Sequence, residues 1–141
     1  MLAGTLVLMQ LPQPDDVLHA RTRIHRHVRV TPVLESASLN QLTGASLFFK
    51  AENLQRAGAF KFRGATNAVL QLDEATRARG VATHSSGNHG AALALAALRA
   101  GLPAVVVMPR NSVASKRAAV ETFGGLVVSC EPTAAARVAG L

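Results

Sequence analysis

The sequence is poor in aromatic residues and in sulfur. Its 141 residues include five Phe, no Trp, no Tyr and a single cysteine, Cys130. One cysteine excludes an internal disulfide and a cysteine metal cluster, and this usage fits a reducing compartment. Because large rings are scarce, the core of the protein must be built mainly from Ala, Leu and Val.

Long apolar runs are also absent. Gly, Arg or Pro interrupts each apolar segment before it reaches the length of a membrane span. Residues 1–8 are apolar, but they lack the basic start and the small-residue cleavage site of a signal peptide. We therefore expect a cytoplasmic protein that does not bind membranes. Met9 is an alternative start, and mass spectrometry of the natural N-terminus would show whether residues 1–8 are an accidental extension.

Acidic residues are few, since 8 Asp and Glu face 15 Lys and Arg and the net charge is +7. The basic residues are scattered except for a loose cluster, Arg21, Arg23, Arg26 and Arg29. At helical spacing such a cluster is typical of a solvated face, and no aromatic residues are interleaved with it for base stacking. We predict that the protein does not bind nucleic acid.

The length and the hydrophobic content of 49% suffice for one globular domain with a core. Apolar spacing and helix-capping residues define the elements of the first half. The first is a helix that starts at Pro14 and Asp15 or Asp16, continues to Val28 and is ended by Thr31-Pro32. It is followed by a helix from Ser36 or Ser38 to Gly44, a strand over 46–51, a helix over 60–72 and a helix from Asp73 to Arg79.

The second half alternates strands with helices. Strands are predicted over 81–83, 104–108 and 126–129, and helices over 88–100 and 113–123. Alternation with short turns indicates parallel strands joined by right-handed helical crossovers. The predicted fold class is therefore α/β, an open parallel sheet with flanking helices, in which ligands bind at the carboxyl ends of the strands.

A lysine in an unusual setting is the first candidate for chemistry. Lys61 stands between Phe60 and Phe62, with Arg63 beside them. Apolar rings and a second cation disfavour an ammonium ion, so we expect a lowered pKa for Lys61 and an amine able to form a Schiff base with a carbonyl compound. The alternative is that Lys61 begins an amphipathic helix, with both rings in the core and the amine in water.

The second candidate is the loop over residues 83–90, which follows one predicted strand and opens one predicted helix. Free backbone N–H groups and the positive end of a helix favour a carboxylate or phosphate there. Ser85, Ser86 and Asn88 add short polar side chains. The alternative is an ordinary capped turn, because any tight turn uses Gly and Ser.

Three other kinds of site are not indicated. His84 and His89 have no spaced carboxylate or cysteine partner, so we predict no metal site. No Walker loop and no dinucleotide glycine fingerprint is present. The residues around Ser85 and Ser86 do not form the Gly-x-Ser-x-Gly turn of a serine hydrolase.

Three stretches together resemble the fold-type II pyridoxal-phosphate (PLP) enzymes, in particular the threonine/serine dehydratase and serine racemase group. They are Lys50-Ala-Glu-Asn-Leu-Gln55, Gly58-Ala-Phe-Lys-Phe-Arg-Gly-Ala65 and Ser85-Ser-Gly-Asn-His-Gly90, and the likeness extends from Asp16 to Glu131-Pro132. It implies that residues 1–50 join the large domain of such an enzyme and that 51–141 form the small α/β domain carrying the PLP lysine. The C-terminal large domain, with the glycine loop for the PLP phosphate, is missing from this sequence.

The resemblance also implies roles for individual residues. Lys61 would form the internal aldimine with PLP, Phe60 would pack on the cofactor ring, and Asn88 would hydrogen-bond its phenolic oxygen. Ser85, Ser86, Asn88 and His89 would bind the substrate carboxylate. In the racemase relatives a serine matching Ser86 returns a proton to Cα from the face opposite the lysine.

The implied function is PLP-dependent dehydration and deamination of L-threonine or L-serine, through a Lys61 Schiff base, to a 2-oxo acid and ammonia. Racemisation is an alternative, as is a truncated non-catalytic remnant. Cysteine synthases carry Thr in place of His89 and an Asn-Pro element in place of Leu54-Gln55, which favours the dehydratase group. The resemblance implies a small hydroxy amino acid as the substrate and a homodimer as the assembly.

Overall fold

The computed structural model describes residues 11–141, so the apolar stretch 1–8 and Met9 lie outside the described residues. The helices are α1 (Pro14–Ile24), α2 (Ala37–Thr43), α3 (Lys61–Val69), α4 (Glu74–Arg79), α5 (Asn88–Ala100), α6 (Ala114–Thr122) and α7 (Ala134–Ala139). The strands are β1 (Val33–Leu34), β2 (Phe49–Lys50), β3 (Val81–His84), β4 (Ala104–Pro109) and β5 (Leu126–Cys130). Two short 3-10 helices, Glu52–Leu54 and Arg56–Gly58, lead from β2 to α3.

The three later strands form a parallel sheet in the order β3-β4-β5. β4 lies in the centre, and its Val106, Val107 and Met108 are fully buried. Consecutive residues of β4 are apolar because helices cover both faces of this strand. The prediction of an α/β protein with an open parallel sheet and flanking helices is confirmed.

Alternate residues of β4 face different helices. Val106 and Met108 pack with α5 and with Val120 of α6. Val107 faces the other side, where a Cβ added to Gly140 after α7 would lie 2.8 Å from Val107 Cγ1. Helices therefore flank the sheet on both faces.

Small side chains allow α5 to lie close to its neighbours. A Cβ on Gly90 would lie 2.8 Å from Val106 Cγ1, so the first turn of α5 rests directly on β4. Further along the helix, Ala92 and Ala96 pack against Phe62 and Val69 of α3. The core is Ala- and Val-rich, as the shortage of aromatic residues predicts.

The predicted strand over 46–51 is much shorter than expected. Phe49 and Lys50 alone pair with β1, in an antiparallel arrangement. Leu47 N donates to Asn40 Oδ1 of α2 at 2.8 Å, and a 3-10 turn begins at Glu52. The strand is short because the N–H group of Leu47 bonds to a side chain of α2 and the 3-10 turn follows Lys50 almost at once.

The predicted first helix is also too long at its C-terminal end. α1 ends at Ile24 rather than Val28, well before Thr31-Pro32. Arg56 Nε donates to His27 O at 2.9 Å, and Gln55 Nε2 donates to Arg29 O at 2.8 Å. These carbonyl groups bond to residues more than twenty positions away, so tertiary contacts end the helix.

The other predicted elements agree with the structure within a few residues, whereas β1, α7 and the two 3-10 helices have no counterpart in the prediction. Ser36 caps α2, which ends at Gly44 in the left-handed conformation, with φ of 67°. Asp73 Oδ1 accepts from Thr76 N at 2.7 Å and caps α4. The predicted helix over 60–72 is shorter, since α3 ends at Val69. Over residues 11–141, no helix has both the length and the apolar character required to cross a membrane.

Candidate active site

Lys61 is the first residue of α3 and follows a tight turn in which Ala57 and Gly58 have φ of 57° and 66°. Its side chain is exposed, and Nζ lies 5.1 Å from the centre of the Phe60 ring. Phe60 is 58% exposed, whereas Phe62 is fully buried against α5. The expectation that two rings flank the amine is wrong, and so is the alternative with both rings in the core. Phe60 is beside the amine, and Phe62 anchors the helix.

A cleft of about 490 Å³ opens beside this lysine. Lys61 and Phe60 line it from α3, and Thr83 and His89 line it from β3 and α5. Gly64, one turn after Lys61, also lines it, and nothing lies within 4 Å of a Cβ added there. A ligand in the cleft can therefore approach the backbone of α3.

Ser85 holds the loop between β3 and α5 in place. Its Oγ accepts hydrogen bonds from Gly87 N at 3.2 Å and from Gly90 N at 3.0 Å. Ser85 N donates to Val107 O at 3.0 Å, which extends the sheet by one bond. The hydroxyl oxygen of Ser85 therefore contacts the backbone of its own loop.

The other predicted residues of this loop are exposed at the start of α5. Ser86, Asn88 and His89 all reach the surface. Gly87, the residue before α5, offers no side chain to cap the helix. Within residues 11–141, no acceptor is found for the backbone N–H groups of Asn88 and His89. Free N–H groups at the positive end of a 13-residue helix favour an anion.

The charges around α5 favour the neutral form of His89. Partial burial lowers the pKa of His89, and the positive charges of Lys61 and His84 lower it further. Asn88 has a cationic neighbour as well, because Lys116 Nζ donates to Asn88 Oδ1. The start of α5 thus lies among basic side chains.

A buried polar network that the sequence did not reveal holds the segment before Lys61. Arg63 donates to the Glu52 carboxylate through Nε at 2.8 Å and through a second nitrogen at 2.7 Å, and Thr31 Oγ1 donates to the same carboxylate. Mainly because of the Arg63 bonds, the pKa of Glu52 falls to about 2. Gln55, which is 2% exposed, bonds both backbone groups of Arg29.

These residues link the turn before Lys61 to the chain around residue 30. Glu52, Gln55 and Arg63 all lie within the stretch 50–64 that carries Lys61. Nothing in their spacing shows that Arg29 and Thr31 are their partners. The ion pair between Glu52 and Arg63, which are 11 positions apart, is likewise visible only in the folded structure.

The structure thus brings Lys61, Phe60 and His89 to one cleft, with Asn88 and Ser86 at the adjoining helix start. Ser85 is bonded to the loop backbone instead. An accessible amine in a cleft beside an open parallel sheet, next to a helix start with free N–H groups, is the arrangement of a class of protein suited to an anionic carbonyl compound. The sequence model of the pyridoxal-phosphate dependent enzymes matches residues 24–140, and the chain belongs to this family.

Three known proteins show the degree of similarity. The chain is 53% identical over 129 residues to the beta-hydroxyaspartate dehydratase of Paracoccus denitrificans (strain Pd 1222), covering 92% of this chain and 41% of that protein. It is 52% identical over 121 residues to the serine racemase of Arabidopsis thaliana, covering 86% and 37%. The structure of maize serine racemase superimposes with a TM-score of 0.87 at 45% identity, covering 89% of this chain and 38% of that one. The chain therefore spans less than half the length of these relatives.

The described residues fit part of a PLP site. Lys61 offers an accessible amine for the aldehyde, and Phe60 offers an exposed ring beside it. The space at Gly64 leaves room for a flat ligand against α3. The cofactor of the family is pyridoxal 5'-phosphate.

Proposed function

We propose that this chain forms the lysine-bearing part of a PLP-dependent enzyme that eliminates water from a small hydroxy amino acid. Hydrolysis of the resulting enamine or imine takes up one water molecule and gives a 2-oxo acid and ammonia. One observation carries the proposal. Lys61 at the start of α3 and His89 at the start of α5 line the same cleft. PLP, when bound, supplies a ring system that delocalises the negative charge left at Cα.

Lys61 would attach the cofactor through Nζ. The same nitrogen would also be the base that takes the Cα proton of the substrate. The turn at Ala57 and Gly58 and the Glu52–Arg63 pair fix the start of α3 and so hold this nitrogen in place. Phe60 would pack on the cofactor ring.

The start of α5 would bind the substrate carboxylate. The free N–H groups of Asn88 and His89 and the exposed Ser86 are donors for a carboxylate oxygen. Asn88 would also donate to the phenolic oxygen of PLP. Partial burial and then the charges of Lys61 and His84 lower the pKa of His89, which favours the neutral ring. A neutral imidazole donates or accepts a hydrogen bond without adding charge.

L-Threonine and L-serine are the substrates we predict, with a 2-oxo acid and ammonia as products. The name of the dehydratase relative adds 3-hydroxyaspartate as a third compound to test. Its extra carboxylate would suit the basic surroundings of α5, where Lys61, His84 and Lys116 lie. We therefore include 3-hydroxyaspartate in the assay together with threonine and serine.

Racemisation is the second candidate function. Ser86 is exposed beside the start of α5, and within the described residues its hydroxyl makes no hydrogen bond. It is therefore free to exchange a proton with a ligand, unlike Ser85. A serine racemase among the relatives supports this reading.

An absorbance titration of the purified chain with PLP tests the proposal. We expect an absorbance band near the edge of the visible range, typical of a lysine-bound cofactor, which borohydride converts to a stable adduct. Peptide mapping should place the adduct on Lys61 rather than on Lys50 or Lys116, the other two lysines of the chain. Lys61→Arg, which keeps the charge, should abolish both the band and the adduct.

The outcome distinguishes an enzyme from a non-catalytic chain. Labelling of Lys61 would be followed by turnover assays with threonine, serine and 3-hydroxyaspartate, and by chiral analysis of the remaining substrate. If wild type and Lys61→Arg give the same spectrum and the same adducts, this chain is a non-catalytic remnant and the proposal is wrong.

A further inference from the structure

Asn88 has a hydrogen-bond partner that the resemblance to the PLP enzymes does not predict. Lys116, in the first turn of α6, donates from Nζ to Asn88 Oδ1, across 28 positions of sequence. The contact exists because α6 packs against α5, and the buried Val120 of α6 lies in one core cluster with Ala91 and Ala94 of α5. A side chain of α6 thereby reaches the candidate site at the start of α5.

The chemistry of the two groups decides how the amide is oriented. An ammonium group has donors only, whereas a carboxamide has an acceptor oxygen at one end and a donor NH₂ at the other. Lys116 can therefore engage only Oδ1, which leaves Nδ2 as the free end of Asn88. Within residues 11–141, no acceptor is found for Nδ2.

The bond between Lys116 and Asn88 lies at the protein surface, although Lys116 itself is not fully exposed. Its side chain is half-buried, and its backbone N donates to Val113 O at 2.9 Å. The two ion pairs among the described residues, Arg63–Glu52 and Arg110–Glu131, do not include it. Arg117, the next residue, donates instead to Ser129 Oγ at 3.0 Å. The charge of Lys116 is thus directed at an amide rather than at a carboxylate.

We propose that Lys116 is a positioning residue that fixes the Asn88 carboxamide with its NH₂ group available to the ligand. A charge-assisted bond holds Oδ1 more strongly than a neutral one, and it polarises the amide so that NH₂ becomes a better donor. The site therefore selects an acceptor oxygen that carries negative charge. The assignment of that oxygen as the phenolic oxygen of PLP rests on the proposed function. The orientation of the Asn88 amide does not depend on it.

The orientation is tested on the chain without cofactor. Lys116→Met removes the donor and keeps an apolar stem, and Arg117→Met is the matched control on the same helix. In ¹H–¹⁵N spectra, with the Asn88 side-chain signal assigned through Asn88→Asp, we expect Lys116→Met to move that signal and Arg117→Met to leave it unchanged. Unchanged backbone signals of α5 would show that both variants are folded. If Lys116→Met leaves the Asn88 signal in place, Lys116 does not hold the amide and the proposal is overturned.

The role towards the ligand is tested with PLP itself. Loss of an ordered donor should weaken PLP binding to Lys116→Met about tenfold, and Lys116→Arg should restore most of the affinity. Because a donor stabilises the negatively charged oxygen, its loss should also move the pH titration of the bound-cofactor absorbance to higher pH. Arg117→Met should change neither quantity.

The results distinguish two kinds of failure. If Lys116→Met changes the amide signal but neither the affinity nor the titration of bound PLP, the part of the proposal that concerns the ligand is wrong. If no variant and not even the wild-type chain binds PLP, the proposed function fails, and the amide signal still decides whether Lys116 orients Asn88.

Discussion

Two adjacent serines, Ser85 and Ser86, differ in what their hydroxyl groups contact. Ser85 Oγ accepts from the backbone of Gly87 and Gly90, whereas Ser86 is exposed. From the sequence both belong equally to the predicted substrate site. The structure gives Ser85 a role in holding the loop and leaves Ser86 free for a ligand.

Replacement of these serines should separate stability from activity. Ser85→Ala leaves two N–H groups at the start of α5 without an acceptor, and we expect a loss of about 1 kcal/mol in the free energy of unfolding. Ser86→Ala should change that quantity by less than about 0.5 kcal/mol. Chemical denaturation of both variants is the measurement. Equal losses would show that the hydrogen bonds of Ser85 do not stabilise the loop.

The pKa of His89 depends on its distance from Lys61, and it can be measured without any cofactor. Burial and the charges of Lys61 and His84 lower the pKa of His89 from its ordinary value of 6.5. Lys61→Met should therefore raise this pKa, measured by NMR titration of the imidazole. Lys50→Met is the control, because Lys50 donates to Thr31 O, in the network around Glu52. A His89 pKa that does not respond to Lys61→Met would contradict the arrangement of the cleft.

The sign of the effect on stability follows from the same shift. Because the pKa of His89 is lower in the folded chain than in the unfolded chain, the unfolded chain takes up the proton first as the pH falls below 6.5. Acidification through this range therefore reduces stability. Lys61→Met should make this reduction smaller.

Among the secondary-structure elements, the N-terminal segment is joined to α3 and the turns before it by one ion pair, in addition to the bonds of Gln55 and Arg56 to the backbone. The Glu52 carboxylate accepts bonds from Arg63 of α3 and from Thr31, which is 4% exposed. This connection ends at the helix that begins with Lys61. A change at Glu52 should therefore affect both the stability of the chain and the position of the lysine.

Acid should weaken this connection at an unusually low pH. The Arg63 bonds lower the pKa of Glu52 from 4.5 to about 2, so its contribution is complete above pH 4.5 and is lost as the pH falls towards 2. We expect Glu52→Gln to cost about 1 to 2 kcal/mol at neutral pH and to remove this part of the acid dependence. Glu131→Gln is the control, since its pair with Arg110 is exposed and should cost less than about 0.5 kcal/mol. Denaturation curves between pH 2 and 7 would refute the expectation if the two variants behave alike.

Over the whole molecule, apolar side chains are unevenly distributed. The middle of α5 and nearly all of β4 are buried, whereas the N-terminal segment exposes large apolar residues, with Val30 at 95% and Val17 at 63%. A groove of about 530 Å³ is lined by both residues, and Arg21, Arg29 and Lys50 also line it. Exposed apolar surface of this kind favours association.

We expect the chain on its own to self-associate through this segment. Val30→Asp should reduce association in sedimentation velocity experiments, without changing the free energy of unfolding by more than about 0.5 kcal/mol, because Val30 makes few contacts. Ala118→Asp adds the same charge at an exposed position of α6 and should leave association unchanged. Equal association of wild type and Val30→Asp would show that this surface is not responsible. The homodimer inferred from the resemblance stays a prediction.

The sequence determined the elements whose signals are local. The strands and helices from residue 81 to 130 were predicted nearly to their ends, because each strand is a short apolar run and each helix has its own start and stop residues. The resemblance, carried by three short stretches, correctly gave the enzyme family and its cofactor. The division at residue 50 and the roles of single residues stay predictions.

Only the tertiary structure decided which side chains meet. The early end of α1, the burial of Phe62 but not of Phe60, the inward hydroxyl of Ser85 and the contact of Lys116 with Asn88 all depend on partners distant in sequence or on packing between helices. Spacing along the chain encodes which residues share a helix face or a strand face, and it carries no information on which faces come together. Chain folding supplies that information, because burial of apolar surface selects the packing and the polar groups then bond to the partners that the packing leaves within reach.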